Sequence, residues 1–170
     1  MILIRQENED DQPEVHKINE IAFGQPDEAD LVDALRRSAH PYISLVAVEQ
    51  DDVVGHIFFS PVTIESGDEK HMVMGLAPMA VVPAQQRKGI GSRLVQEGLK
   101  ECLRIGYPVA VVLGHADYYP RFGFIRAKEM GIRCEYDVPA DLFMVAELTP
   151  GALSDVCGLA KYHPEFEKVT

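Results

Sequence analysis

The feature that most constrains the fold is the point where an apolar run ends at a proline and the chain enters an amphipathic helix through two glycines. This segment covers residues 82–94, VPAQQRKGIGSRL. The first N–H groups of a helix lack partners within it and carry partial positive charge, so they form a site for an anion. Gly89 and Gly91 let a ligand approach the backbone closely, and the segment is therefore predicted to bind a phosphate or pyrophosphate. Positive charge is added by Arg87, Lys88 and Arg93.

The spacing Gln86-x-x-Gly89-x-Gly91 resembles the acyl-CoA-binding loop of the GNAT superfamily of N-acyltransferases, usually written Gln/Arg-x-x-Gly-x-Gly/Ala. The glycine spacings of the Rossmann fingerprint and of the P-loop are both absent from the segment. A strand-to-helix turn with a purely structural role is the alternative. The resemblance implies that acetyl-CoA is bound by the loop residues Gln86, Arg87, Lys88, Gly89, Ile90, Gly91 and Ser92.

A second motif follows the helix. Residues 109–114 have the pattern of a buried strand, and they lead into HADYYPRFGF, residues 115–124. This tail resembles the second GNAT hallmark, in which an aromatic-Tyr pair is followed after three residues by Gly-Phe. Tyr119 matches the family tyrosine, which by the resemblance lies near the CoA sulfur and protonates it as it leaves. A core aromatic whose hydroxyl bonds elsewhere is the alternative, and the two motifs in family order favour the acid.

Composition limits the domain organisation and the compartment. A chain of 170 residues with 46% hydrophobic content has room for one core, which predicts a single domain over residues 1–170. Apolar segments fall well short of the roughly 20 residues needed to cross a bilayer, so a cytoplasmic protein with no membrane partner is expected. Three widely spaced cysteines without a C-x-x-C pattern indicate reduced thiols and neither a disulfide framework nor a metal site.

The formal net charge of −11 argues against nucleic acid as a partner, since phosphate backbones are bound through clustered Lys and Arg. An acidic protein attracts a cationic substrate such as a primary amine. Solubility alone is the alternative reason for the charge. The sequence leaves open whether the chain is a monomer or a homodimer.

Residue patterns predict the order of elements. Before the loop we expect a short first strand, two helices, a hairpin and a long strand, at residues 2–5, 10–23, 27–38, 43–64 and 72–82. After the loop we expect a helix, three strands and a last helix, at residues 89–105, 109–114, 132–136, 142–148 and 149–161. With the resemblance, these give a mixed α/β fold of GNAT type, with a twisted, mostly antiparallel sheet, helices on both faces and one parallel pair at the cofactor cleft.

Pro78 stands within the strand that leads into the loop, where proline cannot donate to a sheet ladder and marks an edge or a bulge. In GNAT proteins a bulge in this strand opens a V in which the pantetheine arm pairs with strand backbone. The resemblance thus implies that Met79, Ala80 and Val81 offer backbone groups to acetyl-CoA. A mere edge irregularity is the alternative.

The general base is not evident from the motifs. Some GNAT enzymes carry a glutamate about eleven residues before the Gln/Arg position, and that position holds Gly75 here. The remaining routes are a chain of waters, His115, Asp117 or an acid from the two N-terminal helices. Histidine exchanges protons near neutral pH, which makes His115 a candidate base, although a lone loop histidine can also be structural. By the resemblance, the two N-terminal helices flank the acceptor site, which makes Glu28 and Asp30 candidates for binding the substrate, with a solvated helix start as the alternative.

The sequence therefore predicts an N-acetyltransferase that transfers the acetyl group of acetyl-CoA to a primary amine by direct attack, without a metal. The alternative is an acyl-CoA-binding protein with a sensing or interaction role and little acetyltransferase activity. The lack of the strand glutamate favours the alternative, and Tyr119 favours the enzyme. The acceptor, whether small amine, amino acid or protein lysine, is not specified by these residues.

Overall fold

The computed structural model describes residues 1–169, which build a mixed sheet flanked by helices. The strands in that range are β1 (Ile2–Gln6), β2 (Ile43–Glu49), β3 (Asp52–Ser66), β4 (Glu69–Val81), β5 (Val109–Leu113), β6 (Ile125–Arg126), β7 (Ile132–Cys134), β8 (Phe143–Glu147) and β9 (Gly158–Lys161). The α-helices in the same range are α1 (Gln12–Phe23), α2 (Asp27–Ser38) and α3 (Ile90–Arg104). None of these helices is both long and apolar enough to cross a lipid bilayer.

The sheet runs in the order β1-β2-β3-β4-β5-β8-β6, with β9 added to the end of β3 and β7 added to β9. Most neighbours are antiparallel, while β4 and β5 are parallel, as the sequence predicts for the cofactor cleft. A second parallel pair, β7 with β9, was not expected. The predicted fold class is confirmed.

Helices cover both faces of the sheet. Side chains of α1 and α2 pack with one set of strand residues, and those of α3 pack with the opposite set. Adjacent residues of β3 show the alternation, since Phe58 joins the first cluster and Phe59 joins the second. The sheet is therefore the shared wall of two cores.

A buried histidine fixes α1 to the sheet. His56 on β3 is fully buried; its Nδ1 lies 3.1 Å from Asn19 Nδ2 of α1 and its Nε2 lies 2.8 Å from Ser44 Oγ of β2. Burial, helped by the positive charge of Arg36, lowers the pKa of His56 to about 3. The ring is neutral, so Nδ1 accepts from the asparagine amide and Nε2–H donates to the serine.

The long strand β4 contains the predicted bulge. Its register with β3 shifts between the pairs Ile57↔Met79 and Phe59↔Leu76, which puts the irregularity at Pro78. On its other edge, β4 pairs with β5 only as far as Leu76↔Val112. The two strands therefore separate at the proline.

The prediction of a helix over residues 149–161 is wrong. That stretch forms turns, and then β9 pairs antiparallel with β3 at residues 63–65. Gly151 and Gly158 have φ of 83° and 124°, backbone conformations that interrupt a right-handed helix. At Gly158 a Cβ would lie 2.7 Å from the carbonyl carbon of Glu65, so the close approach to β3 requires glycine.

Gly98 lets α3 lie close to the sheet, since a Cβ there would be 2.7 Å from Cζ of Phe59. Alanine favours helices over glycine by about 1 kcal/mol, yet we expect Gly98→Ala to lower the free energy of unfolding by about 1 to 3 kcal/mol through overpacking. Urea unfolding measures the change, with Lys100→Ala on the exposed side of α3 as control, expected within about 0.5 kcal/mol of wild type. Unchanged or higher stability of Gly98→Ala would contradict this packing.

Candidate functional site

The segment before α3 forms a concave loop with free backbone donors. Arg87 and Gly89 have φ of 65° and 83°, and the helix begins at Ile90. The N–H of Arg93 bonds to the carbonyl of Gly89 at 3.1 Å, so the N–H groups between them precede the first intrahelical bond. The loop opens onto a cavity of about 400 Å³, called here the loop cavity, lined by Val81, Gln85, Gln86, Arg87, Gly89, Ile90, Gly91, Ser92, Tyr118 and Arg121.

Two of the predicted cations lie apart from this cavity. Lys88 is exposed and is not among the lining residues, and its ammonium lies 3.5 Å from Gln85 Oε1. Arg93 donates from Nη1 to the carbonyl of Ile2 on β1 at 2.9 Å. Arg93 thus joins α3 to the first strand instead of adding charge at the loop.

Sequence reasoning missed Tyr118 and Arg121 in the loop cavity. The Tyr118 hydroxyl lies 2.9 Å from Ser92 Oγ at the start of α3. The Arg121 guanidinium lies 4.5 Å from the centroid of the Tyr118 ring, and its Nε donates to the Tyr118 carbonyl at 2.8 Å. Their i,i+3 spacing beside a 3₁₀ turn is visible in the sequence, but their meeting with α3 depends on the tertiary fold.

The second half of β4 presents one open backbone edge. Met79, Ala80 and Val81 pair with β3, while the edge that faces β5 has no strand partner among residues 1–169. Gln86 Nε2 donates to the Val81 carbonyl at 3.0 Å, which ties the loop to this edge. Backbone groups on the open edge are available to an extended ligand.

A second cavity, of about 430 Å³, lies where β4 and β5 separate and is called here the cleft cavity. Its lining is mostly apolar and aromatic, with few polar groups, and the volume falls in the range of small-molecule sites, about 300 to 1,000 Å³. It is lined by Phe23, Glu28, Leu31, Leu76, Ala77, Pro78, Met79, Leu113, Gly114, His115, Tyr119, Tyr136, Tyr162, Phe166 and Val169.

Tyr119 is buried against the end of β5 and lines the cleft cavity. Its ring fits there because Gly114 has no side chain; a Cβ would lie 2.8 Å from Cδ2 of the ring. Burial, with a smaller effect from Tyr118, raises the pKa of Tyr119 to about 12. The phenol therefore keeps its proton at neutral pH, as a proton donor must.

Gly75 stands at the position of the family glutamate, and neighbouring side chains already fill the space that a side chain there would need. A Cβ there would lie 2.6 Å from Cγ2 of Val62 and 3.3 Å from Cε2 of Tyr162. A carboxylate at this position would collide with both side chains. The packing around residue 75 therefore leaves room for glycine but not for the glutamate that some GNAT enzymes carry there.

Of the candidate bases and substrate-binding acids, two line the cleft cavity and two do not. Glu28 and His115 are lining residues, and Glu28 accepts from Gln25 Nε2 at 3.0 Å. Asp117 and Asp30 are exposed and, within the described chain, are not part of the lining. A solvated helix start therefore explains Asp30 better than it explains Glu28.

Comparison with known proteins identifies the family. The family model described as an acetyltransferase (GNAT) domain matches residues 3–127. The chain belongs to the GNAT acetyltransferase family. It is therefore an acyltransferase, and the resemblance carried by the loop and by the Tyr119 motif is confirmed.

The relatives extend the likeness over nearly the whole chain. The uncharacterized N-acetyltransferase YhbS of Escherichia coli K12 is 34% identical over 168 residues, covering 98% of this chain and 99% of the relative. The crystal structure of E. coli YhbS in complex with CoA has a TM-score of 0.91 and covers 98% of this chain and 92% of that one. A GNAT acetyltransferase from Brucella melitensis in complex with acetyl-CoA has a TM-score of 0.80 at 35% identity, with 98% of each chain covered.

Gly89→Asp tests the loop as an anion site. We expect the affinity for acetyl-CoA to fall at least tenfold, or about 1.4 kcal/mol, because the carboxylate would oppose the pyrophosphate at the helix start. Isothermal titration calorimetry measures the change. Gly106→Asp is the control, since Gly106 is also exposed, has φ of 96° against 83° for Gly89, and lies at the other end of α3. If both folded variants bind acetyl-CoA with equal affinity, the loop is not the site that binds the pyrophosphate.

Proposed function

We propose that the chain is an N-acetyltransferase that transfers the acetyl group of acetyl-CoA to a primary amine by direct attack. The observation that carries the proposal is that the two cavities lie at neighbouring positions along the open edge of β4. Met79 lines the cleft cavity and Val81 lines the loop cavity. An extended ligand with a phosphate group at one end and a reactive group at the other suits such a path.

Acetyl-CoA has this form, and the complexes of E. coli YhbS with CoA and of the Brucella melitensis enzyme with acetyl-CoA support the choice. The pyrophosphate would bind at the N–H groups that precede α3, near Arg87 and Arg121. The pantetheine arm would run along residues 79–81, and the thioester would lie beside Tyr119. A backbone N–H at the cleft end of residues 79–81 would then polarise the thioester carbonyl.

In the reaction, the lone pair of the amine nitrogen forms a bond to the thioester carbonyl carbon, and the bond from that carbon to sulfur breaks. Sulfur leaves with the bonding electrons and takes the phenolic proton of Tyr119. The nitrogen loses one proton, which returns to the phenolate through the base. The products are an amide and the free thiol of CoA.

The acceptor amine must reach the thioester as a neutral nucleophile, although it enters as an ammonium ion near neutral pH. The Glu28 carboxylate lines the cleft cavity at the start of α2 and suits the ammonium form. His115 lines the same cavity, and either its imidazole or a chain of waters would take the proton. These assignments place donor chemistry on β4 and β5 and acceptor chemistry beside the N-terminal helices.

Tyr119→Phe should lower kcat by about 10² to 10⁴ while acetyl-CoA affinity stays nearly constant, because only the proton donor is lost. Steady-state thiol release with a proven acceptor gives kcat, and calorimetry gives the affinity. Tyr107→Phe is the matched control, since the Tyr107 hydroxyl contacts Met72 Sδ at 3.7 Å, outside both cavities. Turnover of Tyr119→Phe within a factor of two of wild type would return Tyr119 to a packing role.

The pH dependence of kcat/KM separates the two routes for the proton. If His115 is the base, we expect the profile to contain a limb that His115→Ala removes, in addition to the rise caused by deprotonation of the amine. Asp117→Ala is the control, as Asp117 lies in the same exposed loop but does not line the cleft cavity. If the profiles of wild type and His115→Ala superimpose, the proton leaves through water and not through His115.

If a broad amine panel gives no product while acetyl-CoA binds tightly, the binding-protein alternative becomes the better account.

A further inference from the structure

One wall of the cleft cavity comes from the part of the chain beyond the matched GNAT domain, which ends at residue 127. This C-terminal wall consists of Tyr136, Tyr162, Phe166 and Val169. It is held in place by β9, which pairs with β3 and ends one residue before Tyr162. The Tyr162 ring packs against Phe166 and Tyr136, with centroid distances of 5.1 and 6.0 Å. The wall is thus a mostly aromatic surface that β9 attaches to the sheet.

Tyr162 carries a polar atom that the protein leaves unbonded. Only 8% of the residue is exposed, and its hydroxyl has no hydrogen-bond partner among residues 1–169. A buried hydroxyl without a partner costs about 1 to 3 kcal/mol, so such groups in folded proteins call for an explanation. Tyr162 lines the cleft cavity, so the unpaired hydroxyl belongs to a side chain that a molecule bound there would contact.

The rest of the lining describes the molecule that fits. Phe23 and Leu31 from α1 and α2 face the same cavity as the C-terminal wall, so most of the surface is apolar. Glu28 is the acidic residue of the lining, which provides one site for a single positive charge. A polycation or a sugar would leave several polar groups without partners on these walls.

We propose that the acceptor is a primary amine on an apolar, ring-bearing body, and that a hydroxyl or carbonyl group on that body pairs with the Tyr162 hydroxyl. This inference rests on the proposed function and names the substrate class of the same site. Glu28 attracts the ammonium end, the aromatic walls enclose the body, and Tyr162 recognises its polar group. Tyr162 is a specificity-determining residue that remains neutral, since burial raises the pKa of its phenol well above the usual range.

Two amines that differ by one hydroxyl test the pairing. Tyramine carries a phenolic group that phenethylamine lacks, and kcat/KM is measured for both with wild type, Tyr162→Phe and the control Tyr107→Phe. We expect wild type and Tyr107→Phe to favour tyramine by about fivefold or more, because a site that bonds a substrate hydroxyl discriminates against its absence. In Tyr162→Phe the preference should fall to within a factor of two.

Three results would overturn the inference. The first is a tyramine preference that Tyr162→Phe leaves unchanged. The second is an equal loss of kcat/KM with both amines in Tyr162→Phe, which would mean that the Tyr162 hydroxyl acts on the amine group that both substrates share. The third is a polar amine such as spermidine or glucosamine being acetylated more efficiently than either aromatic amine.

A binding measurement separates this inference from the proposed function. Calorimetric titration of CoA-loaded protein with tyramine needs no turnover, and Tyr162→Phe should weaken tyramine binding about fivefold with little change for phenethylamine. The melting temperature without ligand supplies a structural check. Removal of an unpaired hydroxyl should leave it equal or higher, whereas a drop would mean that the hydroxyl stabilises the fold. Selective tyramine binding without acetylation would contradict the proposed enzyme activity and would support the pairing of Tyr162 with the bound hydroxyl.

Discussion

The separation of β4 from β5 after Leu76 and Val112 is the constraint on which the site depends. Parallel pairing holds the first part of the two strands, and the register shift at Pro78 turns β4 away while β3 keeps its bonds to it. The gap leaves one edge of β4 open and creates the cleft cavity at the point of separation. The loop before α3 follows β4 directly, so only a short stretch of strand lies between the residues that line the loop cavity and those that line the cleft cavity.

Two glycines beside the cleft cavity are required by their neighbours. At Gly114, at the end of β5, a Cβ would overlap the Tyr119 ring, and at Gly75 on β4 a Cβ would overlap Val62 and lie close to the Tyr162 ring. Neither position has a positive φ, so the neighbouring side chains, and not the backbone angles, require glycine. Both rings keep their phenolic protons because burial raises the pKa of each hydroxyl. Both tyrosines in the lining of the cleft cavity are therefore neutral phenols near neutral pH.

The parts of the site that the sequence predicts are those defined by local geometry. The loop at Gly89, the bulge at Pro78 and the tyrosine before Gly123 depend on residues close together in the chain. Tyr162 could not be found in this way, because it reaches the cavity through pairing of β9 with β3, about a hundred residues earlier in the chain. The helix predicted for residues 149–161 failed for the same reason, since its local pattern gave way to strand pairing.

The two halves of the site use different chemistry. On the loop side, the proposed anion site consists of the backbone N–H groups before α3, and a change of side chain preserves them if the turn at Gly89 persists. On the cleft side, recognition depends on side chains that two helices and the C-terminal segment bring together. Those side chains lie partly beyond residue 127, where the matched domain ends, and their arrangement depends on the pairing of β9 with β3. The acceptor must therefore be sought through Glu28, Tyr162 and the aromatic wall.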